Sequence, residues 1–305
     1  MRYRKPTVGS TMILVTGAAG LSGSAVVHEL AKQRITVRAL VRDSAKARGL
    51  GELPGVEVHE GDMFSPETLD RALEGVTKAL MISSSTHQMV EVQCSFIDTA
   101  KRAGVRHVIK FSGKESNLGF DQSRFPFTRM HQEIEGYLER SGLEWTHLRP
   151  NQFMQVYLRE APVIASKGAL VLPLGEETAL APIDVEDIAK IAAAILRADV
   201  GAHNGRRYEM TGPEGLTMSQ IAERIAAATG RAVRFLSIAP EENRQRMLAA
   251  GVPPFVADAL YEQARERTRC PRAGVDLTTH NEFGVHPTTF AEFAKRHASQ
   301  FRSEQ

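Results

Sequence analysis

A glycine-rich turn near the amino terminus constrains the fold of this 305-residue chain more than any other feature. The apolar run MILVTG (12–17) is typical of a short buried strand, and it leads into GAAGLSG and then into helical spacing of apolar residues. In such a strand–turn–helix unit, glycines at G-x-x-G-x-x-G spacing let a pyrophosphate approach the free N–H groups of the helix. The turn therefore predicts a dinucleotide site, with a tight turn lacking any ligand as the alternative. The predicted contacts in this loop are Gly17, Ala19, Gly20, Leu21, Ser22 and Gly23.

Strand-like and helix-like segments alternate through the first half of the chain. The predicted strands are 12–17, 35–41, 56–61, 78–83, 107–113 and 143–150, and the predicted helices between them include 21–33 and 87–103. This alternation predicts an α/β fold with a Rossmann-type, doubly wound parallel sheet.

The pattern changes after Pro150. Residues 151–184 are irregular, 185–198 are a predicted helix, and 206–212 are a predicted strand that returns to the sheet. Helices are predicted at 217–229, about 240–250, 254–268 and 287–301. We therefore expect an N-terminal extension at 1–11, an NAD(P)-binding Rossmann domain at 12–158 to which 185–212 return, and a smaller, mostly helical C-terminal lobe made of 159–184 and 213–305. Met12 is an alternative start, which would make 1–11 a tag remnant or an extension.

Polar residues after the strands indicate how the dinucleotide is held. Arg42 is the first residue after the second strand, and a guanidinium pairs well with a 2′-phosphate, so NADP(H) is favoured. Asp43 keeps NAD(H) as an alternative, because a carboxylate there accepts hydrogen bonds from the ribose. The alternative to both is a solvated charged turn that binds no cofactor. The predicted contacts at the following strand ends are Asp62, Met63, Ser83, Ser84, Ser85 and Phe111.

The composition excludes several classes of protein. The net charge is +2 with both signs interspersed, so no basic field indicates a nucleic-acid or membrane partner. No run approaches the ~20 apolar residues of a membrane span. Cys94 and Cys270 lack metal-ligand spacing and fit a reducing compartment, with a disulfide between them as the lesser alternative. We expect a soluble, cytoplasmic protein without a metal site; an oligomer stays open.

A histidine lies on the apolar face of one predicted helix. In FTRMHQEIEGYL (127–138), the apolar stripe is formed by Phe127, Met130, Ile134 and Leu138. His131 falls within the arc of this stripe. It is either a hydrogen-bonded core histidine or part of a site.

Several segments together resemble the NmrA-like branch of the atypical short-chain dehydrogenase/reductases. They are MILVTGAAGLSG, VRALVRDSAKA, EGDMFSPETLDRALEGV, SGLEWTHLRPNQFMQ and APIDVEDIAKIAAAIL, and the resemblance extends over about residues 12–305. It implies a Rossmann-type domain that binds NADP(H) or NAD(H), with a substrate cleft under the C-terminal lobe. Similar proteins include reductases of quinones, azo dyes and triphenylmethane dyes, and also regulators that bind the dinucleotide without turnover. It further implies that Pro150, Asn151 and Phe153 flank the nicotinamide.

The same resemblance indicates that the usual proton-transfer pair is missing. Catalytic members of the wider superfamily carry a Tyr and a Lys, four residues apart, on the helix that here holds Phe127 and His131. Ser112 stands at the strand end as expected, and Lys110 shares its face of the strand, although lysines near strand ends are mostly solvated. Ordinary alcohol dehydrogenation therefore lacks its acid, whereas quinones and dyes stabilise the product by conjugation.

Two hypotheses follow for the function. The first is an NAD(P)H-dependent oxidoreductase that transfers hydride to a conjugated small-molecule acceptor. His131 and Ser112 are its candidate catalytic residues, and His131 is also a predicted hydrogen-bond partner of the cofactor ribose. The second is a non-catalytic regulator that senses NADP(H).

Overall fold

A seven-stranded parallel sheet forms the centre of the protein. The computed structural model describes residues 12–47 and 49–302, so the predicted extension at 1–11 lies outside the described part. The strands are β1 (Met12–Val15), β2 (Val37–Val41), β3 (Val56–Glu60), β4 (Val76–Met81), β5 (His107–Phe111), β6 (Glu144–Pro150) and β9 (Arg206–Met210). Their order is β3-β2-β1-β4-β5-β6-β9, and every neighbouring pair is parallel. The predicted fold class, a doubly wound α/β sheet, is confirmed.

Helices cover both faces of this sheet. α1 (Leu21–Lys32) and α6 (Val185–Arg197) pack together on one face, and α2 (Pro66–Leu73), α3 (Met89–Arg102) and α4 (Pro126–Arg140) pack on the other. Because both faces are buried, the strands are almost continuously apolar, as in MILV of β1 and VIKF of β5. The C-terminal ends of the strands all meet at one edge, where a doubly wound sheet binds its ligands.

The remaining elements form the C-terminal lobe. They are a 3₁₀ helix (Met154–Glu160), α5 (Ala161–Lys167), β7 (Ala169–Leu172), β8 (Ala179–Leu180), β10 (Leu216–Thr217), α7 (Met218–Thr229), β11 (Arg234–Ser237), α8 (Pro240–Ala249), α9 (Pro254–Arg269), α10 (Thr278–Phe283), α11 (Phe290–Arg296) and α12 (Ala298–Arg302). β7 pairs with β11 in parallel, and β8 pairs with β10 antiparallel. An apolar core of its own holds this lobe together, built from α5, α7, α11 and α12. The division into two domains at 158/159 stays a prediction.

Some predicted elements differ from the structure. Residues 151–184, predicted as irregular, contain the 3₁₀ helix, α5, β7 and β8. The single helix predicted at 287–301 is two helices, because a capping box at Thr289 starts α11 only at Phe290 and His297 breaks it before α12. Five of the seven predicted strands, β1, β3, β4, β5 and β9, end one or two residues before the predicted bound, which places Gly17 and Ser112 in loops.

Two general expectations can be compared directly with the fold. Cys94 and Cys270 are both free thiols, so the disulfide alternative is wrong. Within residues 12–47 and 49–302, no helix combines the length and the apolar character that crossing a membrane requires.

Candidate active site

The glycine loop between β1 and α1 has the geometry of an anion cradle. Gly17 adopts a φ of 59°, a left-handed conformation that favours glycine, and its carbonyl accepts a hydrogen bond of 2.9 Å from Gly20 N. A Cβ on Gly23 would lie 2.3 Å from Gly17 O, so only glycine lets α1 pack this closely under the loop. No side chain caps the N-terminus of α1. Its first N–H groups are therefore available to a phosphate.

The other predicted contacts of this loop lie on its outer side. Ala19, Gly20 and Leu21 are exposed, Leu21 with half of its surface, and Ser22 is partly buried. Thr16, which the sequence did not single out, is fully buried and joins two strand ends. Its Oγ1 donates to Ile82 O at 2.7 Å and accepts from Ile82 N at 2.8 Å. This contact fixes the loop after β1 against the loop after β4.

The turn after β2 separates Arg42 from the nearby carboxylates. Asp43 accepts a hydrogen bond from Ala45 N at 2.9 Å, and Glu60 accepts one from Ser44 N at 3.4 Å. Both carboxylates thus bind the local backbone. The exposed Arg42 side chain makes no hydrogen bond or ion pair with the described part of the chain. The arrangement favours a 2′-phosphate over ribose hydroxyls at this position.

Arg42→Ala is expected to raise the Kd for NADPH by about 10- to 100-fold, because a charge-assisted hydrogen bond contributes about 1.5–3 kcal/mol. The Kd for NADH, which lacks the 2′-phosphate, should stay within about twofold of the unchanged protein by the same reasoning. Fluorescence titration of both dinucleotides measures the two values. Arg71→Ala, at an exposed site on α2, controls for the change in net charge. Equal losses for NADPH and NADH would contradict the role given to Arg42.

The ends of β3 and β4 carry the next predicted contacts. Asp62 accepts from Phe64 N at 3.0 Å, and Met63 is buried in the core between the sheet and α2. Phe64, which the sequence did not single out, is the exposed aromatic side chain at this edge. Ser83 accepts from Gln93 Nε2 at 2.8 Å. Ser84 and Ser85 are exposed in the same loop.

The end of β6 connects the sheet to the C-terminal lobe. Asn151 is buried; its backbone N–H donates to Met210 O at 2.9 Å, and its Nδ2 donates to Ala181 O at 3.1 Å. Phe153 packs edge-on against Phe111, with ring centroids 6.1 Å apart. Pro150, Asn151, Phe153 and Phe111 therefore lie at neighbouring strand ends. Their predicted contact with the nicotinamide stays a prediction.

Ser112 lies at the end of β5 with its hydroxyl already engaged. Its Oγ donates to Glu135 Oε1 at 2.5 Å, and Arg149 Nε donates to the same oxygen at 3.0 Å. Although burial works to raise the pKa of Glu135, the hydrogen bond from Arg149 and other favourable contacts lower it. Glu135 is therefore ionised and accepts the hydrogen bond of the Ser112 hydroxyl. A catalytic role for Ser112 stays a prediction. Because its proton is engaged by Glu135, its oxygen can serve only as a hydrogen-bond acceptor.

His131 binds the residue that the sequence indicated as solvated. Lys110 is fully buried, and its Nζ lies 2.9 Å from His131 Nδ1. The expectation of a solvated Lys110 is wrong, because α4 covers this face of β5 completely. Burial, and then the charge of Lys110, hold the pKa of His131 well below its usual range. The imidazole is thus neutral rather than partly charged at physiological pH.

Phe127, which the resemblance predicts to replace the superfamily tyrosine, belongs to an aromatic cluster. Its ring packs edge-on against Phe125 and Phe255, with centroids 5.4 and 5.6 Å away. Phe255 comes from the first turn of α9 and also approaches His87, which follows β4, at 6.3 Å. The aromatic cluster thus joins the C-terminal lobe to the strand ends. The sequence predicted a helix at 254–268 but not that one of its side chains meets Phe127.

One group of potential metal ligands occurs within the described ranges. An oxygen of Glu135, an oxygen of Glu139 and a nitrogen of His147 lie within 4.8 Å of one another. The sequence indicated no such spacing, because His147 comes from β6 and the carboxylates from α4. Arg149 binds Glu135, and Arg207 binds Glu139 at 2.6 Å. With both carboxylates neutralised, the group is a salt-bridge network rather than a cation site.

Comparisons with known proteins agree with this fold. A model of the NmrA-like family matches residues 9–294. The NAD(P)H azoreductase of Xenophilus azovorans is 37% identical over 290 residues, which cover 95% of this chain and 99% of that protein. Quinone oxidoreductase 2 of Escherichia coli (strain K12) is 31% identical over 283 residues, covering 91% of this chain and 95% of that protein. The crystal structure of an NADPH-dependent quinone oxidoreductase from Escherichia coli, complexed with NADPH, has a TM-score of 0.80 at 29% identity and covers 93% of this chain and 99% of that chain.

Proposed function

This chain belongs to the NmrA-like family, and we propose that it is an NAD(P)H-dependent oxidoreductase that reduces a flat, conjugated small molecule such as a quinone or an azo dye. NADPH, the favoured dinucleotide, supplies the hydride when bound. Two relatives that match nearly the full chain are named for these acceptors, an azoreductase and a quinone oxidoreductase. A cytoplasmic location is part of the proposal, supported by the two free cysteines.

The observation that carries the proposal is the composition of the site around α4. By the resemblance, Phe127 and His131 of α4 take the places of the Tyr and Lys of catalytic members of the wider superfamily, and the Ser112 hydroxyl donates its hydrogen bond to Glu135. Phe127 has no hydroxyl and the Ser112 hydroxyl is engaged by Glu135, so neither of these two residues is free to protonate an alkoxide. Reduction of a quinone or azo compound depends less on a general acid, because conjugation spreads the negative charge left by hydride transfer. The edge-on rings of Phe127 and Phe255 suit a flat aromatic molecule.

The residues at the strand ends have separate roles in this proposal. The N–H groups at the start of α1 hold the pyrophosphate, and Arg42 binds the 2′-phosphate. Asp62, Met63 and the serines after β4 line the dinucleotide between these points. His131, at the far end, donates a proton to the reduced acceptor or a hydrogen bond to the ribose. Pro150, Asn151 and Phe153 complete the nicotinamide end.

The test is NADPH consumption by the purified protein, followed at 340 nm with a series of quinones and azo dyes. We expect turnover with at least one of them at about 1–1,000 s⁻¹, the usual range of kcat values. Omission of the acceptor is the control for uncoupled oxidation. NADPH binding without turnover of any acceptor would contradict the proposal and favour the dinucleotide-sensing regulator.

A further inference from the structure

Lys110 is a buried cation without a carboxylate partner of its own. Its side chain extends from β5 toward α4 and is fully buried, and lysines are almost never fully buried unless they are paired. Its Nζ contacts His131 Nδ1 at 2.9 Å and Phe111 O at 3.3 Å. No carboxylate of the described ranges lies within ion-pair distance of it. Ordinary structural pairing therefore does not account for this lysine.

The groups that face Lys110 come from three elements. They are His131 and Glu135 of α4, Arg149 and His147 of β6, and Cys94 of α3. Glu135 is already bound by Arg149 and Ser112, so its charge is largely compensated. Burial raises the pKa of the Cys94 thiol to about 11 and lowers the pKa of His147 to about 4, so both are neutral near pH 7.

This environment brings the pKa of Lys110 close to physiological pH. Burial lowers the pKa of Lys110 to about 7, although the Glu135 charge works in the opposite direction. Lys110 therefore exchanges readily between the ammonium and the neutral amine at physiological pH. A fully buried ammonium reaches solvent only through a partner, and among the described residues its one side-chain partner is His131.

The contact also fixes which nitrogen of His131 carries the proton. While Lys110 is protonated its ammonium only donates, so His131 Nδ1 accepts and the ring proton sits on Nε2. Nε2 lies 3.7 Å from the position that a Cβ on Gly113 would take, beside Pro150 O at the ends of β5 and β6. This nitrogen has no hydrogen-bond partner in the described chain, and it is not buried away from solvent. The Nε2–H therefore faces the open side of the strand ends.

We propose that Lys110 is a positioning residue that holds His131 with Nε2–H toward the acceptor and replaces the proton that His131 gives away. This inference rests on the proposed reductase function. The acceptor that has received the hydride is an anion; it takes the proton from Nε2 as that N–H bond breaks. Nδ1 takes a proton from the Lys110 ammonium, so the imidazole stays neutral throughout and Lys110 becomes a neutral amine. Solvent restores the proton through His131 after the product leaves.

Lys110→Met tests the proposal, with Lys114→Met at the neighbouring exposed lysine as the matched control. Methionine keeps the length of the side chain and removes the buried charge, so the fold should be retained. In ¹⁵N NMR spectra recorded below pH 7, where Lys110 is protonated, His131 of the unchanged protein should show a single Nε2–H tautomer, and Lys110→Met should show a mixture. Melting temperatures and the Kd for NADPH, expected to change little, separate this effect from unfolding.

Turnover provides the second measurement. With a quinone at pH 7, Lys110→Met should lower kcat by about 10- to 100-fold, within the range of general acid catalysis, and leave the KM for NADPH unchanged. In the unchanged protein kcat should fall as the pH rises through about 7, because Lys110 loses its proton there, and this limb should vanish in the variant. His131→Ala should lose at least as much activity. A cationic triphenylmethane dye, whose hydride adduct is neutral and takes no proton, should react equally well with and without Lys110.

The outcomes separate the inference from the function beneath it. An unchanged His131 tautomer in Lys110→Met, or equal losses with the quinone and the cationic dye, would overturn the role of Lys110. Failure of the unchanged protein to reduce any acceptor would overturn the proposed function, and the NMR comparison would still decide whether Lys110 orients His131.

Discussion

Gly23→Ala is expected to raise the Kd for NADPH by at least about 100-fold, which corresponds to about 2.7 kcal/mol of lost binding free energy. The added Cβ would lie 2.3 Å from Gly17 O, 2.8 Å from Gly17 C and 2.9 Å from Ala18 Cα. All three are backbone atoms, so no flexible side chain can move aside. The loop must therefore shift away from α1, and the N–H groups that would bind the pyrophosphate move with it. Isothermal titration with NADPH measures the change.

Gly136→Ala on α4 is the matched control for this substitution. A Cβ there would meet only the Arg140 guanidinium, at 3.1 Å, which is flexible. Alanine in a helix interior is worth about 0.5–1 kcal/mol over glycine, so this variant should bind NADPH normally and melt slightly later. Melting of Gly23→Ala without dinucleotide shows whether the protein remains folded. A folded Gly23→Ala variant that binds NADPH normally would contradict the assignment of the loop.

Arg267→Met is expected to lower the free energy of unfolding by about 3–5 kcal/mol, because it leaves a buried carboxylate unpaired. Arg267 Nε donates to Glu115 Oε2 at 2.8 Å, and Nη2 donates to Oε1 at 3.0 Å. Each side chain exposes only 7% of its surface. Glu115 follows β5 and Arg267 is near the end of α9, so the pair joins the C-terminal lobe to the sheet. Urea unfolding of the ligand-free protein measures the loss.

Two further variants separate a buried ion pair from a general effect of losing an arginine. Glu115→Gln combined with Arg267→Met removes both charges and should recover a large part of the lost stability. Arg244→Met breaks the more exposed ion pair with Asp258 and should cost less than about 1 kcal/mol. Equal destabilisation by Arg244→Met and Arg267→Met would show that burial of the pair does not matter.

The first half of the fold could be predicted because its signals are local. A strand, a glycine turn and a helix follow one another within residues 12–32, and each is encoded by neighbouring residues. Residues 151–184 were harder, since β7 and β8 are short strands whose partners, β11 and β10, lie far along the chain. Pairing of that kind leaves little periodicity in the sequence itself.

The candidate site shows the same limit at the level of single side chains. Alternation along β5 correctly placed Lys110 and Ser112 on one face, but it could not show that α4 seals this face. The engagement of Ser112 depends on Glu135, and through it on Arg149 of β6. These residues meet only when two strands and a helix have packed. The identities of Phe127 and His131 were readable in advance, whereas the pKa values of His131 and Lys110 depend on burial.

Helix α8 has a consequence for how this protein can change over evolutionary time. None of its residues is buried, and it packs against α9, whose first turn brings Phe255 to Phe127. Segments with few buried apolar contacts open locally at a small fraction of the global unfolding free energy. Amino-acid replacements in α8 therefore have little effect on folding, while those in β1 or its glycine turn do not share this freedom. Helix α8, which packs beside the aromatic cluster through α9, can thus accept changes of sequence while the dinucleotide-binding half stays constant.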